Sequence, residues 1–187
     1  MKRVLVAALL GALVTALASG SYAIAKRGNG GGAFRATLNG FHETTGGPPT
    51  AEGNTTGSVS TTGRGKIRLS VRDDTIHYVL DYEDIEGGDA TQAHLHFAER
   101  HVAGGVIAFL CGGPRPPCTE PDGRFEGDIT AADIIGPADQ GIAPGEIDEV
   151  IRALRNGAVY ANVHSATWPE GEIRGDIKRR GHGHDDD

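Results

Sequence analysis

Hydrophobic and polar residues alternate along several short stretches of this chain. Phe34, Ala36 and Leu38 form one apolar set, Ile67, Leu69 and Val71 a second, and Ile76, Tyr78, Leu80 and Tyr82 a third. A period of two puts each set on one face of a β-strand, so each stretch predicts a strand with one buried face. The Asp73-Asp74 pair between the second and third sets is a turn signal and predicts that these strands form a hairpin. Further short runs, GGVIAFLC, GRFEGDIT, AVYANVHS and GEIRGDIK, are each bounded by Gly, Pro or Asp. Many short strands with glycine-rich turns predict an all-β fold, an antiparallel sandwich or barrel.

One stretch departs from this period. In APGEIDEVIRALRNG, residues Ile147, Val150, Ile151 and Leu154 fall at i, i+3, i+4 and i+7, the stripe of an amphipathic helix. Pro144 and the early acids start it, Arg152 and Arg155 suit its end, and Gly157 stops it, giving a helix of about three turns that covers an edge or end of the sandwich. A shorter helical turn is expected over AADII, capped by Thr130.

Parity then assigns the chemistry-bearing residues to a face. In TQAHLHFA, burial of Ala93, Leu95 and Phe97 turns His94 and His96 to the opposite side. In AVYANVHS, burial of Val159, Ala161 and Val163 turns out Tyr160, Asn162 and His164; in GEIRGDIK, burial of Ile173 and Ile177 turns out Glu172, Arg174 and Asp176. The expectation is an outer, solvent-facing surface on which His94, His96 and His164 converge if their strands are neighbours. Side chains at i and i+2 of a strand lie roughly 6 to 7 Å apart on one face, so two imidazoles can lean onto one ion. A third from a nearby strand completes a copper or zinc site with an open position. Without a metal the same row reads as solvated surface or, with Tyr160, Trp168 and Arg174, as an anchor for a protein or glycan. Arg174 itself reads either as a charge that neutralises an anion beside the histidines or as the ion-pair partner of Glu170 or Glu172.

The chain ends add a location. Met1-Lys2-Arg3, an apolar run and Ala23-Ile24-Ala25 make residues 1–25 an export leader. The Ser19-Gly20-Ser21 interruption argues against a retained anchor, and a membrane association is expected only if the leader stays uncleaved. Residues 26–32 form a glycine-rich linker and residues 179–187 a charged His/Asp tail, which leaves 33–178 as the folded unit. A secreted or cell-envelope location follows. In such an oxidising compartment Cys111 and Cys118, in CGGPRPPC, are expected to join as a disulfide. As metal ligands they would lack both zinc-knuckle spacing and an interleaved histidine.

With 18 basic against 25 acidic residues the net charge is −7, and loss of Lys2 and Arg3 with the leader takes it to about −9, which argues against nucleic acid as a partner. His42, Glu43 and Glu52 are expected as solvated turn residues. His77 falls on the polar side of its strand with no partner assigned, and Asn54-Thr55-Thr56 has the form of a glycosylation sequon. The terminal HGHDDD could chelate a divalent ion but reads first as a solubilising end. No Gly-x-Ser-x-Gly elbow, phosphate-binding loop or His-Glu-x-x-His helix occurs, so hydrolase and kinase readings have no support and no catalytic residue is assigned.

FRATLNGFHE, AHLHFA, CGGPRPPC, GDITAADIIGPADQGI, the helix ending Arg-Asn-Gly, and above all VYANVHSATWPEGEIRGDI resemble the CHRD domain, a module of chordin found also in exported bacterial proteins. The resemblance covers about residues 33 to 177. It implies an immunoglobulin-like Greek-key β-sandwich distantly similar to copper/zinc superoxide dismutase, in which a His-x-His on one strand and a histidine on a later strand hold copper. Those ligands correspond here to His94, His96 and His164. The bridging histidine and zinc subsite of the dismutase have no counterpart, since the stretch from Phe97 to Phe125 offers only His101 and Asp122. The implied role is therefore a binding or cell-envelope module with a surface histidine site for copper or zinc. A metal-independent domain for an extracellular or envelope protein or glycan is the alternative, and a copper redox enzyme of dismutase type comes third.

Overall fold

The computed structural model describes residues 31–44 and 57–181. The expected leader, residues 26–30 of the linker, Glu52, the Asn54 sequon and the terminal HGHDDD lie outside the described residues. Nine strands form one antiparallel sheet: β1 (Gly32–Asn39), β2 (Arg64–Arg72), β3 (Thr75–Glu83), β4 (Ala90–Phe97), β5 (Gly105–Cys111), β6 (Gly123–Ile129), β7 (Val159–Ser165), β8 (Ile173–Asp176) and β9 (Lys178–Arg179). Their order is β5-β4-β7-β8-β1-β2-β3-β6, with β9 also on β1. The ends of this path, β5 and β6, lie against one another without pairing, so the sheet curls into a nearly closed sandwich. The Tyr78 hydroxyl on β3 reaches across the core to donate to the Leu110 carbonyl on β5, 2.8 Å away.

The period-two sets hold the interior. Phe34, Leu38, Ile67, Leu69, Val71, Ile76, Tyr78, Leu80 and Tyr82 are buried from the β1–β2–β3 side, against Ala93, Leu95, Ala161, Val163 and Ile173 from β4, β7 and β8. Each buried Leu or Ile side chain is worth roughly 1.5 to 3 kcal/mol relative to exposure. β2 and β3 form the expected hairpin, register Arg72↔Thr75, with Asp73 in the left-handed region at φ 50°. The predicted helix is α1 (Ile147–Arg155), in the late connection between β6 and β7. Its stripe of Ile147, Val150, Ile151 and Leu154 is buried, and Gly157 follows it at φ 71°. The turn expected after Thr130 is a short 3-10 turn, Ala131–Asp133, in which the Asp133 carboxylate accepts from the Thr130 backbone N–H (2.8 Å) and hydroxyl (2.9 Å).

Both boundaries of the folded unit extend slightly beyond the expected ones: Gly32 belongs to β1, and β9 carries the ladder to Arg179. The last strand is interrupted at Ile177, whose side chain is buried while its N–H bonds Val159 O at 2.9 Å, so Lys178 resumes pairing with Arg35. Cys111 and Cys118 form the expected disulfide, with Cα atoms 5.2 Å apart, closing the proline-rich loop between β5 and β6. Among the described residues no helix is long and apolar enough to cross a membrane.

Candidate metal centre

β4, β7 and β8 lie side by side, and their register sets the site. His94 faces Asn162, which faces Arg174. One pair further along, His96 faces Tyr160, which faces Asp176. His164 lies opposite Gln92 and so meets His94 on the diagonal, within reach of a ring side chain. The parity argument thus selected the right face: these groups point away from Leu95, Ala161 and Val163.

They do not, however, point into solvent. His94, His96 and His164 are only 5 %, 7 % and 8 % exposed, Tyr160 and Asn162 are buried, and Arg174 is fully enclosed. The expected open surface is a covered one, because connections from elsewhere in the chain fold over it. The loop 98–104 supplies Gly104 O, which accepts from His96 Nδ1 at 2.9 Å; the turn 166–171 supplies Pro169 O, which accepts from His164 Nδ1 at 2.9 Å. Phe109 of β5 packs edge-on against His94 with ring centroids 4.5 Å apart. Gly171, at φ 131°, passes so close to Glu43 and Asn162 that a Cβ there would collide with both side chains.

These carbonyls fix the ring chemistry. A nitrogen facing a carbonyl carries the proton, so the Nε2 atom of His96 presents its lone pair inward. His94 Nδ1 and Asn162 Oδ1 each lie 3.0 Å from His164 Nε2, and His96 Nε2 is buried with no hydrogen-bond partner. One nitrogen from each ring lies within 4.8 Å of the other two. Burial, reinforced by the neighbouring rings, holds His94 down to about 3, and burial likewise holds His96 down to about 4. The same desolvation lowers His164. All three are therefore neutral at pH 7, as ligands must be. Three neutral imidazoles, with an orphaned buried lone pair among them, make a donor set that fits copper or zinc.

The surrounding residues act on this cluster through one loop. Tyr160 stacks on His96, with centroids 4.7 Å apart and planes 8° from parallel, and its hydroxyl accepts from Gly104 N–H at 3.3 Å. Arg174 lies over the other face of Tyr160, 3.5 Å from the ring centre. Its guanidinium donates to Val102 O (3.0 Å), Glu99 O (3.4 Å) and Thr44 Oγ1 (2.6 Å), and pairs with Asp176 at 3.2 Å. The expected pairing of Arg174 with Glu170 or Glu172 is thus replaced by Asp176. Arg174 clamps the loop whose Gly104 orients His96.

Two expected contributors face elsewhere. Glu172 is fully buried, and its carboxylate accepts from Thr61 Oγ1 (2.6 Å), Glu86 N–H (2.8 Å) and Gly87 N–H (3.0 Å). Trp168 is half-buried, packed where Gly87 leaves no room for a side chain. Tyr160 and Arg174, enclosed as they are, cannot anchor a partner as the interaction reading required. His101 is exposed at φ 63°, and Asp122 accepts from Asp84 N–H at 3.0 Å.

Glu43 was expected as a solvated turn residue and is instead 3 % exposed beside the centre. Burial outweighs both the Thr44 N–H and Arg174 and raises its carboxyl to about 7. The signal in the sequence was the Asn39 that precedes it: its side chain accepts from His42 N–H at 3.1 Å, and the 3-10 turn it opens (Gly40–His42) tucks Glu43 inward. His42 is held by Asn39, and His77 has a partner after all, Asp128 at 2.9 Å on the exposed face.

The family model for the CHRD domain matches residues 34–177. No curated protein and no solved structure matches the chain.

Proposed function

The chain belongs to the CHRD-domain family, and from that premise we propose that it is an exported module holding a copper or zinc ion at His94, His96 and His164. The observation that carries this reading is the enclosed cluster of nitrogens, in which two of the three rings are oriented by backbone carbonyls. Outer hydrogen bonds of this kind fix the tautomer a ligand needs and raise its basicity. The disulfide is in keeping with an oxidising, extracytoplasmic location. The enclosure favours retention of an ion over turnover at it, and His101 and Asp122, the one histidine and one aspartate between Phe97 and Phe125, are both exposed.

The test is metal analysis of purified mature protein after exposure to copper or zinc, wild type beside the variant with His94, His96 and His164 all changed to Ala. The expected result is about one ion per wild-type chain, as a single three-histidine site would hold, and none in the variant. Equal metal content in the two proteins would reject the reading.

A further inference from the structure

We propose that the outer groove over β9, β1 and β2 binds an anionic glycan, meaning an extended saccharide that repeats sulfate or carboxylate groups. This inference goes beyond the metal reading and concerns a different surface. The groove, about 570 Å³, is lined by Arg35, Lys66, Arg68, Arg100 and Lys178, with Asp176 as its one acid. In a chain of net charge −7 that is a local inversion of sign.

Acids do not quench it. Asp176 is shared between Arg100 (3.3 Å) and the buried Arg174, and Asp81 is shared between Arg68 (3.1 Å) and Arg124. Among the described residues Arg35, Lys66 and Lys178 have no ion-pair partner. The register makes this costly to the fold: Arg35 stands directly opposite Arg68 on one side and Lys178 on the other, like charges across three strands. An anion laid along the row would relieve that repulsion.

The shape favours a chain-like ligand. Cations recur roughly every 5 Å across the strands and 6 to 7 Å along them, and through Thr37, Lys66 and Arg68 the groove runs on into a second one of about 720 Å³ over β2, β3 and β6. Arginine forks match sulfate and carboxylate geometry. No Phe, Tyr or Trp side chain lines the basic groove to offer a platform for base stacking, and no exposed large apolar residue lines it, as entry into a lipid surface would require.

The experiment is titration of the full chain with a heparin-derived octasaccharide at low and physiological salt. Binding should weaken as salt rises, and should fall roughly tenfold or more in the Arg35→Gln/Lys66→Gln variant. It should be unchanged in Arg152→Gln/Arg155→Gln, which removes the same charge from α1. The triple histidine variant should bind like wild type, which keeps this inference separate from the metal reading. No binding at low salt, equal losses in the two double variants, or tighter binding to duplex DNA or to phosphatidylserine vesicles would overturn it.

Discussion

On β2 and β3 the outward residues Arg64, Lys66, Arg68 and His77 stand in solvent, whereas on β4, β7 and β8 the residues of matching parity are sealed beneath loops. Both regions alternate with period two and both carry charged or titratable groups. On the open side the ion pairs Arg64–Glu83 and Arg68–Asp81 join arginines that are 54 % and 57 % exposed, so solvent screens both pairs and they add little to stability. On the covered side Arg174 is fully enclosed, and each of its contacts replaces a water it has lost. Polarity in a strand therefore identifies the face away from the core without saying whether that face is wet.

The largest effect that would test this contrast is the removal of Arg174. Arg174→Ala leaves a cavity where a fully enclosed side chain stood, leaves Asp176 to Arg100 alone and frees the loop that orients His96, so denaturant unfolding should show a loss of about 2 to 5 kcal/mol. Metal content should fall with it. A loss under about 1 kcal/mol would mean the clamp is no stronger than a surface pair.

Acidification of metal-free protein comes next. His94 and His96 are lowered in the folded state, to about 3 and about 4, so the unfolded chain binds their protons first as pH falls below 6.5. Their contribution is fully present above pH 6.5 and is lost progressively toward the folded values. The expected loss is about 1 kcal/mol per histidine over the first pH unit below 6.5, steepening toward about 1.4 per unit after that. Unfolding curves at pH 7 and 5.5 measure it, and curves that coincide would place the histidines in solvent.

Glu43 has the opposite sign. Its carboxyl is raised from 4.5 to about 7, so its protonated form favours the fold, and that stability is present below pH 4.5 and lost as pH rises through 7. Glu43→Gln should remove this penalty and stabilise the protein at pH 8 by up to about 3 kcal/mol, with little change at pH 4.5. No gain at pH 8 would show that the carboxylate is already solvated. The smallest effect belongs to the open face, where Arg68→Ala or His77→Ala should change thermal unfolding by no more than about 0.5 kcal/mol.

Local pattern carried the strands, the β2–β3 hairpin, α1 and the Cys111–Cys118 link into the sequence reading, because each depends on residues near one another in the chain. The same parity brought His94, His96 and His164 onto one face. What could not be read was the cover. Gly104, Pro169 and Thr44 approach the site through backbone or loop geometry with no side-chain pattern, and Glu43 arrives through a single turn. Phe109 meets His94 because β4 and β5 slip register on both sides of His94-Leu95, and such irregularities leave no period to detect.

The order of assembly follows from where the histidines sit along the chain. His94 and His164 are 70 residues apart, and Arg174 reaches back 130 residues to Thr44. Contacts between such distant segments form late, since the connecting chain must close first. Of the three site histidines, an ion meeting the unfolded chain would find only His94 and His96 close together, a weak bidentate grip; the third ring arrives when β7 docks. Tight capture would then report that folding is complete, and loading would come at the end of maturation.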